Sequence, residues 1–431
     1  MSKILTSIKP IQYSTLAKTL NYFKNPNAQG GTLLIELPAD MGKASNGYKR
    51  GGLLEASEIL RKELLSAIVW LFGIPLFNHA GNALFEKLAK LPMDIDYDEK
   101  TIKNVVECLK NSAEELPEEI SKYGIEYINK INSLGIEKSI KRIKGAKQFI
   151  TIGAWALNCF LMGVALPKIN HKITANKLKK EAPKEDTSKR ISMEQFQHET
   201  KKDSNVSFKG LIDKAVYAMN TNNTVRLIST DVPMIIGRCA TSRNKYEALE
   251  ITLMDSGAIF FYNFCLGLVE KLLSKTFKTP TINPKVAEYI AQQKDVLNSA
   301  IESSNKEETF DVKNFFKESM DEIYEIATNG RYGKINRFVD QKEIEEIDES
   351  ISNFIKQIAK TPGILNEQGL DENILRKTIK NLNIKNTGFY GAGVVASFLG
   401  IGWILPKLTY FITKKVSGKS GFIGIEGNDS K

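Results

Sequence analysis

Four apolar runs interrupt an otherwise polar chain of 431 residues. Residues 149–166 and 388–405 each continue for about 18 positions without a charged side chain, the length that indicates a membrane-spanning helix. Residues 64–77 and 257–269 form shorter runs, in the range shared by buried helices, re-entrant segments and tilted spans. Elsewhere, apolar residues recur at three- and four-residue spacing, which indicates amphipathic helices. The pattern therefore predicts an all-α protein.

The two long runs end in the same short sequence, and other short sequences also recur in both parts of the chain. LPK at residues 166–168 matches LPK at 405–407, and Ile-Thr follows both at the same distance. Further pairs keep the same order: Asp40 and Asp231, EASEI at 55–59 and EALEI at 247–251, and EKL at 86–88 and 270–272. Because the whole series keeps its order, we expect two tandem sequence-related halves that carry polar helical inserts.

The predicted boundaries follow from composition. A lysine-rich stretch with Pro183 and little apolar content indicates a linker between the halves. The predicted segments are a first half at 1–180, a basic polar linker at 181–204, a second half at 205–417 with a helical insert at 279–387, and a flexible tail at 418–431.

The apolar runs favour a multi-pass helical membrane protein over a soluble helical core. The alternative places the same helices at the centre of a globule, and the two shorter runs suit it. Against it, the two longer runs are apolar on all sides and rich in small residues. The mean hydropathy of −0.24 shows that most of the chain lies outside any spans. Leu-Pro-Lys at the end of a span would stop the apolar helix and let the lysine reach the headgroups.

Charge distribution predicts an orientation. The net charge is +10, and Lys and Arg exceed Asp and Glu before the first run, between the second and third, and after the fourth. With four spans, this alternation places both termini in the cytoplasm, and the N-terminus lacks a signal-peptide pattern. Basic clusters at 138–147 and 376–385 depart from the rule. They indicate either that the short runs only dip into the bilayer or that the inserts lie on an anionic surface.

Small side chains in the last run predict close helix packing. Four-residue spacing places Gly393 with Ser397, and Ala392 with Ala396 and Gly400. Between helices in lipid, small residues allow the backbones to approach, although the same pattern also occurs in soluble helices.

A repeated acidic pattern is the main candidate site. Glu55 with Glu58, and Glu247 with Glu250, lie three apart and share a helix face, while Glu63 and Asp255 follow next to the apolar runs. We expect local pairing of Arg61 with Glu58 and of Arg243 with Glu247. One interpretation is an ordinary solvated or ion-paired helix face. The other is a polar interface where acids of both halves meet and bind a cation or a basic partner.

Other chemistry has little support in the sequence. Four scattered cysteines and three histidines lack metal-ligand spacing, and GAGVVA at residues 391–396 opens an apolar helix rather than a dinucleotide-binding unit. We therefore expect no catalytic residues, no cofactor and no metal. Few aromatics interleave with the lysines, so nucleic acid is not a favoured partner.

Three functional hypotheses follow. The first is a non-enzymatic integral membrane protein of structural or scaffolding type, with the lipid bilayer as its partner and anionic lipid at the basic segments beside the spans. A protein partner or a homo-oligomer is compatible with it. The second is a small transporter or channel with acids at the repeat interface. The third is a soluble helical adaptor that binds anionic surfaces.

Overall fold

A computed structural model describes residues 30–111, 116–181, 209–305, 311–367 and 369–426. The predicted linker at 181–204 lies outside these ranges except for its first residue. The described chain is all-helical apart from one two-stranded β-ribbon, which confirms the predicted all-α class.

Long helices form the first half. Helix α1, Gly30–Ala89, is broken at Gly51 and Gly52, where Gly52 has φ of 68°, a conformation that favours glycine. We call residues 30–50 α1a and residues 53–89 α1b. Two short helices follow, α2 (Glu99–Asn111) and α3 (Ile125–Leu134). Helix α4 (Ile136–Phe160) then continues through a π-helical turn, Leu161–Ala165, into α5 (Leu166–Glu181).

Long helices also form the second predicted half. They are α6 (Lys209–Thr221), α7 (Asn223–Ala240), α8 (Lys245–Phe260), a π-helical turn at Phe261–Cys265, and α9 (Leu266–Thr276). After the insert, α15 (Glu372–Leu399) passes through a third π-helical turn, Gly400–Ile404, into α16 (Leu405–Ser417). Two of the π-helical turns directly precede the Leu-Pro pairs, where proline lacks the N–H that would continue the α-helical ladder.

The second insert folds around its own apolar core. Its elements are α10 (Pro284–Gln292), α11 (Lys294–Ser304), α12 (Val312–Phe315), α13 (Met320–Ala327), α14 (Gln341–Ala359), β1 (Leu365–Asn366) and β2 (Gly369–Leu370). Helix α14 shows how the pattern builds the core, because Ile351, Phe354, Ile355 and Ile358 share one face and are all buried. The antiparallel β1–β2 pair, with Leu365 opposite Leu370, has no counterpart in the sequence prediction.

Two compact units are formed, and each takes segments from both predicted halves. The described residues of the insert unit lie within 30–36, Asn82–Lys147 and Phe260–Gly400. The charge unit contains Leu37–Gly81, Gln148–Ile259 and Ile401–Lys431. The boundaries therefore cut through the long helices and do not follow the boundary between the halves.

Four helices are long and apolar enough to cross a membrane: Thr32–Ala89, Ile136–Lys179, Lys245–Thr276 and Glu372–Ser417. The two short runs lie within helices of 58 and 32 residues, which exceed the roughly 20 residues that a span requires. Only 11% to 50% of each apolar window is buried within the described chain. At least half of the residues in each apolar window are therefore not buried by the described residues.

The segment after α16 departs from the prediction of a flexible tail from residue 418. Residues Ile423–Glu426 form a helical turn, α17, and Ile423 is buried with 1% of its surface exposed. Residues 427–431 lie outside the described ranges.

Candidate functional site

All six predicted acids of the polar interface line one cavity in the charge unit. The cavity holds about 100 Å³, room for a few water molecules. The six acids are Glu55, Glu58, Glu63, Glu247, Glu250 and Asp255. Their positions follow from the helices, because α1b and α8 both begin just before the paired glutamates and direct them to the same place. The cavity is therefore the candidate site.

Arg50 joins two of these acids. Its Nε donates to Glu55 Oε1 at 2.9 Å, and its Nη2 donates to Glu250 Oε2 at 3.0 Å. The Tyr410 ring lies against the guanidinium, with Cζ 3.7 Å from the ring centroid. Glu55 is 1% exposed, so its charge depends on Arg50 for compensation. The arginine thus bridges the acids of α1b and α8.

Arg243 makes the reciprocal bridge. Its Nη2 donates to Glu247 Oε1 at 2.6 Å and to Glu58 Oε1 at 2.5 Å. Arg50 therefore binds Glu55 and Glu250. Arg243 binds Glu247 and Glu58, so each arginine joins one acid of α1b to one acid of α8.

The two remaining acids are also paired. Lys43 Nζ donates to Glu63 Oε2 at 2.8 Å, and Arg238 Nη1 donates to Asp255 Oδ2 at 2.8 Å. Arg238 is 3% exposed and also donates to Ser66 Oγ at 2.8 Å. Each of the six acids therefore has a basic partner within the described chain.

Arg61 does not form the expected pair with Glu58. Its Nε donates to Asn170 Oδ1 and its Nη2 to Thr174 Oγ1, both at 3.0 Å. The prediction was wrong because a helix-surface spacing of three residues says nothing about acceptors on a neighbouring helix, and α5 supplies two. The expected pair of Arg243 with Glu247 does form, with Nε 3.1 Å from Oε1.

Two close helix crossings hold the basic residues in place. A Cβ on Gly237 would lie 2.9 Å from Gly163 Cα, and a Cβ on Gly402 would lie 2.9 Å from Ala39 O. Thr241 Oγ1 donates to Gly237 O at 3.0 Å and approaches Gly163 O at 3.4 Å. These glycines let α7 approach the π-helical turn at Leu161–Ala165, and let α1a approach the turn at Gly400–Ile404.

Asn46 makes contacts with a helix crossing as Thr241 does. Its Nδ2 donates to Gly42 O at 2.9 Å and to Gly402 O at 3.0 Å. The sequence prediction did not include this pair, although a signal for it exists, since PADMGKASN at residues 38–46 matches PMIIGRCAT at 233–241. Proline, glycine, a basic residue and a short polar residue recur at the same spacing.

His171 lies beside the same acids. Its Nε2 is 3.6 Å from Glu247 Oε1, and Glu58, His171 and Glu247 present ligand atoms within 4.8 Å of one another. Arg243 donates to both carboxylates at this point. The arrangement is therefore an ion-paired cluster, and a metal ion would have to displace the guanidinium.

The predicted helix-packing residues divide between two faces of α15. Gly393, Ser397 and the following Gly400 are buried, whereas Ala392 is exposed and Ala396 is half-buried. A Cβ on Gly393 would lie 3.1 Å from Leu266 O, and one on Gly400 would overlap the Phe261 ring. Within the insert unit, Gly393 therefore allows α15 to approach α9, and Gly400 allows the turn after α15 to approach the Phe261 ring.

Comparison with family models, with curated protein sequences and with solved structures finds no match for this chain.

Proposed function

We propose that this chain is a non-enzymatic, multi-pass integral membrane protein of structural type. The four long apolar helices support membrane insertion, because their apolar windows remain at least half exposed within the described chain. Large side chains such as Phe149, at 80% exposed, and Leu76, at 60%, would face water in a soluble protein. Burying them in acyl chains removes that cost, at roughly 25 cal/mol per Å² of apolar surface.

The proposal includes an internal duplication. The reciprocal bridges of Arg50 and Arg243 support it, as do the paired contacts of Asn46 and Thr241. Under this correspondence, Gly42 aligns with Gly237 and Lys43 with Arg238. Asp231 then aligns with Glu36 rather than with Asp40, so the match of Asp40 with Asp231 drawn from the sequence is displaced by about one helical turn.

Basic residues suggest the lipid partner and the orientation. Helices α5 and α16 each have a buried face, which includes Thr174 and Thr409 respectively. Their exposed faces carry lysines and apolar residues. The exposed lysines among the described residues of these two helices are Lys168, Lys172, Lys177, Lys179, Lys407, Lys414 and Lys415. Such surfaces suit anionic headgroups, and positive charge favours the cytoplasmic side, as expected for cytoplasmic termini.

The observation that carries the structural role is the complete pairing of the six acids. A cation carrier needs carboxylates that can exchange a basic partner for the cation. Here two arginines each hold two glutamates in bidentate geometry, and Lys43 and Arg238 hold the other acids. Buried ion pairs of this kind contribute specificity of register more than net stability. We infer that the network, which we call the charge interlock, fixes how the two halves associate.

A small transporter is the second candidate function, and the cavity favours it. Acids from both halves face a common space of about 100 Å³, large enough for a partly hydrated cation. In proteins with internal repeats, substrate sites often lie between the repeats. The two candidates differ in whether the acids move a cation or only hold their arginine and lysine partners.

Reconstitution separates the candidates. Purified protein in liposomes is tested for Na⁺, K⁺ and proton flux, with Glu63→Gln/Asp255→Asn as the test variant and Glu372→Gln as the matched control on the insert unit. The structural proposal predicts no flux above that of empty liposomes and a lower melting temperature for the double variant. Flux that disappears in the double variant but persists in the control would instead establish transport.

Membrane insertion has its own test. The proposal predicts that isolated membranes release the protein into detergent but not into high salt. Release by salt alone would favour the soluble adaptor and overturn the membrane proposal.

A further inference from the structure

Each of the two inserts exposes a single large apolar side chain among its described residues. We define the first insert as residues 90–147 and keep the second at 279–387. In the first insert this residue is Ile125, which is 62% exposed, and in the second it is Ile384, which is 50% exposed. One exposed apolar residue is ordinary on a surface that faces water, so its position decides what it means.

Ile125 lies beside the end of a helix that we propose to span the membrane. Its neighbour Glu126 pairs with Lys90, with Oε2 2.6 Å from Nζ. The Tyr127 hydroxyl donates to Glu86 Oε1 at 3.5 Å. These contacts hold the first turn of α3 against the last turn of α1b, so Ile125 is exposed where α1b enters the insert.

The end of α1b is apolar on its exposed side. Leu84 and Leu88 lie one helical turn apart and therefore share a face, with 61% and 75% of their surfaces exposed. Lys87 is exposed next to them. We call Leu84, Leu88 and Ile125 the first base patch, because all three lie at the end of the insert that joins α1b.

The second insert begins in the same way. Leu268 and Leu272 are exposed one turn apart on α9, and the exposed Phe277 directly follows that helix. The apolar face of α9 therefore continues to the first residues of the insert.

Ile384 belongs to this end of the second insert. The Phe277 ring stacks on the Phe389 ring of α15, with the ring centroids 5.7 Å apart. Asn386 Nδ2 donates to Pro280 O at 3.0 Å. Ile384 thus lies on α15 close to the level where α9 ends. We call Leu268, Leu272, Phe277 and Ile384 the second base patch.

Exposed lysines adjoin both base patches. A lysine can lay its aliphatic stem along an apolar surface while its ammonium group reaches a phosphate. Apolar side chains flanked by lysines are typical of surfaces that enter the boundary between lipid headgroups and acyl chains. The adjoining exposed lysines are Lys87, Lys271, Lys275, Lys380 and Lys385.

We infer that both inserts rest on the phospholipid bilayer through their base patches, with Ile125 and Ile384 at the boundary between headgroups and acyl chains. The inference rests on the proposed membrane insertion and adds a lipid contact outside the spans. Lipid is the partner that fits, because each patch continues a helix face that the proposal already places in acyl chains, and the lysines match lipid phosphates. The basic cluster at 376–385, which departs from the positive-inside pattern, then faces these phosphates.

Site-specific photo-crosslinking tests the contact. Benzoylphenylalanine is placed at one position at a time in the full chain, which is reconstituted in liposomes of phosphatidylcholine and phosphatidylglycerol. After irradiation, mass spectrometry measures the yield of lipid adducts. At Ile125 and Ile384 we expect yields close to that at Leu76, an exposed residue of the proposed span. Lys103 on α2 and Glu346 on α14 are matched exposed controls on the two inserts and should give no lipid adduct.

The outcomes separate this inference from the membrane proposal. Adducts at Leu76 but at neither Ile125 nor Ile384 would overturn the inference and leave the membrane proposal standing. Adducts at only one of the two isoleucines would overturn it for the other insert. Equal yields at Ile125 and Lys103 would also overturn it, because the contact would not be confined to the base patch. The absence of adducts at Leu76 would contradict membrane insertion itself.

Discussion

Arg50 and Glu250 lie 200 positions apart in the chain and meet in a bidentate pair, with Nη1–Oε1 at 2.5 Å and Nη2–Oε2 at 3.0 Å. Arg243 and Glu58 repeat this pair from the opposite half, with Nη2–Oε1 at 2.5 Å and Nη1–Oε2 at 3.3 Å. Four of the six acids are thereby held by two arginines. Removing either arginine should strand two carboxylates in a poorly hydrated place.

The first prediction concerns that removal. Arg50→Gln and Arg243→Gln should each lower the free energy of unfolding by about 3 kcal/mol, the cost of an uncompensated buried charge. Arg50→Lys should recover little, because an ammonium cannot donate in bidentate fashion to two carboxylates. Denaturant or thermal unfolding in detergent gives the measurement.

A surface pair is the matched control for the arginine variants. Arg376 donates to Glu372 on α15, where both side chains are partly exposed. Arg376→Gln should cost less than about 1 kcal/mol. Equal losses for Arg376→Gln and Arg50→Gln would remove the distinction between interlock and surface pair.

The second prediction tests the close helix crossings. Gly237→Ala and Gly402→Ala each place a Cβ 2.9 Å from backbone atoms of the neighbouring helix, so each should destabilise the protein by about 1–3 kcal/mol. Gly153→Ala is the control, because no atom beyond its own helical turn lies within 4 Å of its Cβ position. It should stabilise the helix by up to about 1 kcal/mol. A neutral effect of the first two substitutions would contradict the crossings.

The third prediction uses a difference between the halves. Arg61 donates to Thr174 Oγ1, whereas the proposed duplication aligns Arg61 with Leu253 of the second half. The buried hydroxyl of Thr413 has no hydrogen-bond partner among the described residues. Thr174→Val should therefore cost about 1–3 kcal/mol by stranding a guanidinium N–H, while Thr413→Val should be close to neutral. Thermal unfolding of the two variants measures this difference. Equal losses of stability in Thr174→Val and Thr413→Val would contradict it.

The fourth prediction concerns alkaline pH and the second insert. Burial, and then the hydrogen bond to Asp348, raises the pKa of Tyr324, and burial with the hydrogen bond to Glu322 raises the pKa of Tyr289. The folded state therefore holds these phenolic protons more tightly than the unfolded state. This contribution is complete below about pH 10, the unfolded value, and falls as pH rises above it.

Circular dichroism with urea, at intervals from about pH 8 to pH 11, measures that loss. Tyr324→Phe should lower stability at neutral pH by about 1 kcal/mol, through loss of the bond to Asp348, and should make the alkaline decline shallower. An unchanged slope in this variant would show that Tyr324 does not titrate differently on unfolding. Alkaline carbonate washes are expected to perturb this insert, so extraction tests are better done with neutral high salt.

The sequence was informative where the signal is local. Helical periodicity predicted the all-α class, and the EASEI and EALEI marks identified acids that the structure brings into one cavity. The basic partners were harder to predict, because Arg50 precedes Glu55 by five residues while Arg243 precedes Glu247 by four. The ion pairs between the halves depend on tertiary contacts, which the spacing of residues along the chain does not predict. The helical turn at Ile423–Glu426 was missed because a glycine-rich, polar stretch with three apolar residues is typical of a flexible tail.

Double-mutant cycles on the two reciprocal pairs test the charge interlock most directly. Arg50→Gln with Glu250→Gln, and Arg243→Gln with Glu58→Gln, are each compared with their single variants by unfolding in detergent. We expect coupling energies of about 2 kcal/mol in both cycles, similar in size because the two bridges are equivalent. Additive losses in both cycles, or coupling in only one, would contradict a reciprocal interlock between the halves.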